Sequence, residues 1–283
     1  MKSIVVTGAS SGIGWGCVKV LIARGFRVFG GLRATADADR LTREFGARFV
    51  PLIFDVTDEA AVAVGAELVA TALGREPLFG LVNNAGIAVP GPMLYLNIDD
   101  FRHQIAVNLT GQLIVTRAFA PLLGVDRSRA GAPGRIVMIS SVAGKNAAPF
   151  LGAYSASKFA LEGMSESLRR ELMPFGIDVI IVAPGTVATP IWDKADAIDV
   201  SPFAATPYAS ALATLKRHAV ANGRKGLAPE RLGETVKRAL TARRPKTRYT
   251  VTPDPVQNFL ANILPKRIVD NIIARQLGLN RLR

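Results

Sequence analysis

The 283-residue sequence predicts an α/β fold, a doubly wound parallel sheet with helices on both faces. Three observations carry that expectation. Short apolar runs alternate along the chain with longer amphipathic stretches. Runs such as Ile136-Val137-Met138-Ile139 lack the polar residue at every second position, as in strands buried on both faces. The first run ends in a glycine-rich turn that opens an amphipathic helix. Strands are expected at 3–7, 27–32, 49–54, 79–82, 135–140, 177–183 and 248–252. Helices are expected at 12–24, 37–45, 57–73, 99–123, 152–173 and 229–241. Strand–helix–strand alternation implies right-handed crossovers. No linker rich in Gly, Ser or Pro divides the chain, so one domain is expected. Its core spans residues 1–190, followed over 191–283 by a lid, the last strand and a basic extension. Residues 125–134 read as a surface loop. Residues 187–226 hold Pro190, Pro202 and Pro207 without clear periodicity, and read as an irregular lid.

Apolar residues make up 49% and charged residues 20%, the balance of a globular chain rather than a disordered one. A single cysteine, Cys17, excludes an internal disulfide framework and reads as a small core residue. His103 and His218 are far apart and lack cysteine support, so no metal site is expected. The start, Met1-Lys2-Ser3-Ile4, lacks the pattern of a secretion signal, and no run of about 18 uncharged apolar residues occurs. A cytoplasmic protein is the expectation. The net charge of +13 is concentrated near one end. Residues 201–283 carry 16 Lys/Arg against 4 Asp/Glu, whereas residues 1–200 carry 19 against 18. With the first 200 residues nearly neutral, this reads as a solvated basic surface rather than a nucleic-acid site.

The glycine-rich turn is TGASSGIG, Thr7 to Gly14. Gly8 allows the tight turn, Gly12 lets backbone approach a pyrophosphate and Gly14 permits close helix packing. Ser10, Ser11 and Ile13 complete the loop, and the helix N-terminus offers free N–H groups to phosphate. After the second strand an acidic residue would hold an adenosine 2′-hydroxyl. The sequence has Leu32-Arg33 instead, and Arg33 can pair with a 2′-phosphate, which favours NADP over NAD. Asp55-Val56 follows the third strand, where a side chain and a backbone amide can hold adenine. Asn84, Ala85 and Gly86 follow the fourth, where small residues let backbone run along a cofactor.

Tyr154 and Lys158, four apart in AYSASKFALEGM, share one face of a helix one turn apart. Free tyrosine has a pKa of about 10. A neighbouring ammonium and a positive nicotinamide ring both favour phenolate, so the pair is expected to lower that value. Tyr154 can then exchange a proton with a carbonyl or alcohol. Lys158 also reaches toward a nicotinamide ribose. Ser141, thirteen residues earlier and at the carboxyl end of a strand, can donate to a developing alkoxide, with Ser140 a near rival. Asn108 lies in the apolar stretch IAVNLTGQ and needs partners. It either satisfies its own helix or anchors a water and Lys158.

TGASSGIG, NNAG, Asn108, Ser141, the Tyr154–Lys158 pair and Pro184-Gly185 occur in one order, and together they resemble the short-chain dehydrogenase/reductase family over about residues 3–190. The resemblance implies a Rossmann-type sheet of about seven strands and hydride transfer at carbon 4 of nicotinamide. It implies a tetrad of Asn108, Ser141, Tyr154 and Lys158. It also implies a nicotinamide site formed by Pro184, Gly185, Val187 and Thr189, and a dimer or tetramer. The complete tetrad beside the nucleotide loop and an apolar lid point to an NADP(H)-dependent carbonyl reductase or alcohol dehydrogenase acting on a moderately large hydrophobic ketone or secondary alcohol. The tail PKTRYTV, 245–251, is similar to the subgroup of steroid and retinol dehydrogenases and their bacterial relatives. Members with a comparable Leu-Arg pair prefer NADP. The alternative is a nucleotide-binding regulator or scaffold of the same fold with little turnover.

Other features read more simply. His103 is expected on a surface, and Met164 and Met173 in packing. Trp192 and Phe203 are divided between substrate contact and lid packing. The C-terminus alternates apolar pairs with basic residues at about helical period, broken at Pro265. It suits two short amphipathic helices that touch an anionic membrane, line the substrate pocket, meet another subunit or pack on the body.

Overall fold

A computed structural model describes residues 1–279. Seven parallel strands form one sheet in the order β3-β2-β1-β4-β5-β6-β7. They are β1 Ser3–Thr7, β2 Arg27–Leu32, β3 Phe49–Ile53, β4 Gly80–Asn83, β5 Arg135–Ile139, β6 Asp178–Pro184 and β7 Arg248–Val251. Each of the seven expected strands is present, with ends moved by one residue at most. The order reverses between β1 and β4, which opens a crevice beyond their carboxyl ends.

Helices cover both faces, as continuous apolar strands require. On one side lie α1 (Gly12–Ala23) and α2 (Thr35–Phe45), which bury Cys17, Val18, Leu21 and Leu41. Burial pushes the Cys17 thiol up to about 12, in keeping with a core residue. On the other side α3 (Glu59–Leu73) adds Val62 and Val69. The expected helix at 99–123 is in fact α4 (Ile98–Ile105), a π turn (Ala106–Thr110), α5 (Gly111–Phe119) and a final 3₁₀ turn. By length and a mean hydropathy of 1.2 this run could cross a membrane. Its Val107, Val115 and Phe119 instead pack under the sheet with Leu161 of α6 (Gly152–Glu171).

Residues 187–226, expected as an irregular lid, are more regular than their composition predicts. They contain α7 (Ile191–Asp196) and the 15-residue α8 (Ala209–Gly223). Five alanines are spread around α8 and only Ala211, Leu212, Val220 and Gly223 are buried, so apolar and polar faces contrast too little to show a period. Trp192 donates from Nε1 to the Val187 carbonyl at 2.7 Å and lies against Gly223, which makes it lid packing. Phe203 packs with Phe150 and Tyr208 and approaches Gly91. After α9 (Pro229–Thr241) and β7 come α10 (Pro255–Ile263) and α11 (Lys266–Leu277), separated at Pro265 as expected. Met164 is packed, but Met173 is 70% exposed, contrary to expectation. It falls in a 3₁₀ turn after α6 has ended, where the helical register no longer applies.

Candidate active site

The glycine-rich turn joins β1 to α1 at the reversal of strand order. Gly8 has φ +62°, a left-handed conformation that favours glycine. A Cβ on Gly14 would lie 2.0 Å from the Gly8 carbonyl oxygen, so no side chain fits there. Ser11, the N-cap of α1, makes no side-chain cap bond, and the first turn carries no acid. That leaves backbone N–H groups facing the crevice, a donor set suited to a pyrophosphate. Across it, the Thr189 side chain lies within 3.2 Å of where a Gly12 Cβ would stand.

At the carboxyl end of β2, Leu32 is 2% exposed and belongs to the core. The next residue, Arg33, is exposed. Arg40 of α2, not anticipated from the sequence, donates to the Ser10 carbonyl at 2.7 Å and pairs with Asp37. Asp55 accepts from the Thr57 amide and hydroxyl at 2.9 and 2.7 Å. Burial would raise its pKa, but the Thr57 bonds and the charges of Arg33 and His103 outweigh it and hold the carboxyl below its usual range. Val56 is buried. His103 is exposed, as expected.

The loop after β4 is held from below by a row of polar side chains. Thr116 accepts from Asn83 at 2.8 Å, and Gln112 donates to the Ala85 carbonyl. Asn108 accepts from the Ile87 amide at 2.8 Å and donates to its carbonyl at 3.0 Å. Gln104 accepts from the Val89 amide at 2.8 Å and donates to the Ile87 carbonyl at 2.9 Å. Four helical residues advance about 6 Å, close to two residues of extended chain, so every fourth helix residue meets every second loop residue. Of this row only Asn108 was singled out from the sequence; the spacing 104, 108, 112, 116 within an apolar helix was the available signal. On the other side Thr7 Oγ1 accepts from the Asn84 and Ala85 amides at 2.9 and 3.0 Å.

Gln104 is fully buried and bonded at both ends. Gln104→Leu is therefore expected to cost about 2 kcal/mol by leaving backbone groups unpaired. Denaturant unfolding should show a lower midpoint at unchanged slope. An unmoved midpoint would contradict the clamp.

Asn108 sits in the π turn, fully buried, and also donates to Ser157 Oγ at 3.1 Å. π turns are frequent at functional positions. Lys158 does not meet Asn108; its Nζ donates to the Ile139 carbonyl at 2.8 Å, and burial pulls the ammonium down to about 8. Ser141 and Ser140 separate clearly. Ser140 Oγ donates to Glu162 at 2.9 Å, and Glu162 pairs with Arg248 of β7. Ser141 instead lies beside the Tyr154 phenol and also faces the Pro184 carbonyl at 3.5 Å. Tyr154 is half-buried, with Lys158 Nζ 5.8 Å from its ring centroid. The expected lowering of its pKa does not occur in the protein alone. Burial pushes the phenol up, and the Ser141 hydroxyl offsets this only in part. At the end of β6, Gly185 packs on Thr252, and Val187 is buried beside Leu227.

Phe150, just before α6, has φ +63°, a strained conformation for a bulky residue and one found at functional sites. It lines a cavity of about 360 Å³ with Met93, Pro149, Gly152, Ile273 and Leu279.

The sequence matches the short chain dehydrogenase family over residues 2–198. It is 36% identical over 278 residues to the NADPH-dependent 3-dehydrocapnine reductase of Ornithobacterium rhinotracheale, covering 98% of each chain. It is 38% identical to retinol dehydrogenase 5 of Mus musculus, covering 95% of this chain and 87% of the relative. A solved short-chain dehydrogenase from Streptomyces avermitilis superposes with a TM-score of 0.75 at 27% identity, covering 97% of this chain and 94% of that one. The chain belongs to the short-chain dehydrogenase/reductase family, whose members are NAD(P)-dependent oxidoreductases.

Proposed function

We propose that this enzyme is an NADP(H)-dependent reductase of hydrophobic ketones, with Tyr154 as proton donor. The observation that carries the reading is the convergence of the Tyr154 phenol, the Ser141 hydroxyl and the Lys158 amino group beyond the end of β5; Phe150 and Gly152, just before Tyr154 in the chain, line a largely apolar cavity. The α1 N-terminus with Gly8, Ser10, Ser11, Gly12, Ile13 and Gly14 would hold the pyrophosphate, and Asp55 with Val56 the adenine. Asn84, Ala85 and Gly86 would line the middle of the cofactor, and Pro184, Gly185, Val187 and Thr189 its nicotinamide end. Arg33 would read the 2′-phosphate, with Arg40 close by. When bound, NADPH supplies a hydride, and its reduced ring carries no positive charge that would draw the proton off a neighbouring phenol. Tyr154, held protonated by burial, then gives its proton to the carbonyl oxygen as that oxygen gains charge. Ser141 donates a hydrogen bond to the same oxygen. Lys158 supplies positive charge that eases the departure of the phenolic proton, and Asn108 fixes the loop and helix around it. An NADPH-dependent relative of nearly the same length agrees with the cofactor assignment.

The test is consumption of NADPH by the purified enzyme offered a panel of hydrophobic ketones. Arg33→Ala is expected to raise the KM for NADPH about tenfold, the scale of one exposed charge-assisted hydrogen bond, and to leave NADH nearly unchanged. Equal effects on both cofactors would contradict the role of Arg33.

A further inference from the structure

The C-terminal helix pair presents apolar surface that the protein does not cover. On α10, Val256, Phe259, Leu260 and Ile263 recur at helical spacing and form one stripe. Val256 is 70%, Phe259 60% and Ile263 58% exposed, and no residue of this helix is buried. Ile268 and Ile272 are also exposed, one turn apart on α11. A neighbouring side of α11 lines the cavity beside Phe150 through Asp270, Ile273 and Ala274. A neighbouring cavity brings Leu279 together with the exposed Leu94. Contiguous apolar surface of this kind marks a contact site.

Charge selects the occupant. Over residues 255–279 the charged side chains are Lys266, Arg267 and Arg275 against one acid, Asp270. A second copy docked on this face about a two-fold axis would set one cationic rim against another. An anionic bilayer offers acyl chains to the apolar stripes and headgroups to the cations, whose long stems can lie along the boundary. We propose that the α10–α11 face docks on the surface of an anionic membrane, which would bring the mouth of the cavity to the lipid boundary. This inference stands on the exposed stripes and their charges, not on the catalytic reading.

Co-sedimentation with phosphatidylcholine vesicles, with and without phosphatidylglycerol, tests it on the full chain. The wild type is expected to sediment with the anionic vesicles at low salt, at least tenfold more tightly than with neutral ones, and to be released as salt rises. Phe259→Glu/Ile263→Glu and, separately, Arg267→Gln/Arg275→Gln should each weaken binding at least tenfold, with circular dichroism and thermal unfolding unchanged because all four side chains are exposed. No sedimentation of the wild type with anionic vesicles at low salt would overturn the proposal. So would a dimer in analytical ultracentrifugation that Phe259→Glu/Ile263→Glu splits. Failure of ketone reduction would sink the proposed function while leaving this result intact.

Discussion

Lys158→Met is expected to abolish most turnover and yet make the cofactor-free protein harder to unfold at pH 7. The Lys158 amino group is buried, and burial alone lowers its pKa from 10.5 to about 8. Below pH 8 the ammonium is present in both the folded and the unfolded chain, and the fold bears the whole cost of burying it. Between about 8 and 10.5 the folded chain has lost that proton while the unfolded chain keeps it, so stability rises with pH through that window. A shift of this size corresponds to about 3 kcal/mol. Methionine fills similar space without the charge but leaves the Ile139 carbonyl without its donor, which returns about 1 kcal/mol of the gain. Thermal unfolding should therefore show a variant about 2 kcal/mol more stable at pH 7, its advantage gone by about pH 10. Turnover should fall about 100-fold or more, since the charge that assists Tyr154 is lost. A variant less stable than the wild type at pH 7 would mean that Lys158 serves the fold rather than the chemistry.

Tyr154→Phe is the complementary case. It removes one hydroxyl from a half-buried ring and one neighbour from Ser141. Stability should move by about 1 kcal/mol at most, the scale of a single hydrogen bond. NADPH affinity should be unchanged, because the proposed phosphate and adenine contacts come from the glycine-rich turn, Arg33 and Asp55. Reduction should fall by about 10² to 10⁴, the range for loss of a positioned general acid. No nearby group takes over. The Ser141 hydroxyl can donate a hydrogen bond but is far less acidic than a phenol, and Lys158 is committed to the Ile139 carbonyl.

The sheet was legible because its strands are unbroken apolar runs between turn signals, a pattern with little ambiguity. Ser3–Thr7 and Arg27–Leu32 match expectation at both ends. The proposed site was legible because glycine, tyrosine and lysine have few reasons to recur at those spacings. What the sequence hid involves contacts between distant segments. Gln104 and Gln112 look like ordinary polar residues until the loop 83–89 lies alongside them. Arg40 becomes relevant only when α2 packs near Ser10. Ser140 and Ser141 cannot be told apart without Glu162 and Arg248 in place. The π turn around Asn108 leaves no mark in an otherwise helical pattern, and α8 was obscured by small residues. The direction of the Tyr154 shift depended on burial, which outweighs the Ser141 hydroxyl, while Lys158 is directed at a carbonyl.

The most direct test follows NADPH oxidation at saturating hydrophobic ketone in the wild type and in Tyr154→Phe, after titration has shown that both bind NADPH equally well. The expected result is ketone-dependent oxidation by the wild type that falls at least 100-fold in the variant. Equal rates in the two proteins would remove Tyr154 from the reaction, and tight NADPH binding without oxidation by the wild type would make this chain a nucleotide-binding protein that does not turn over.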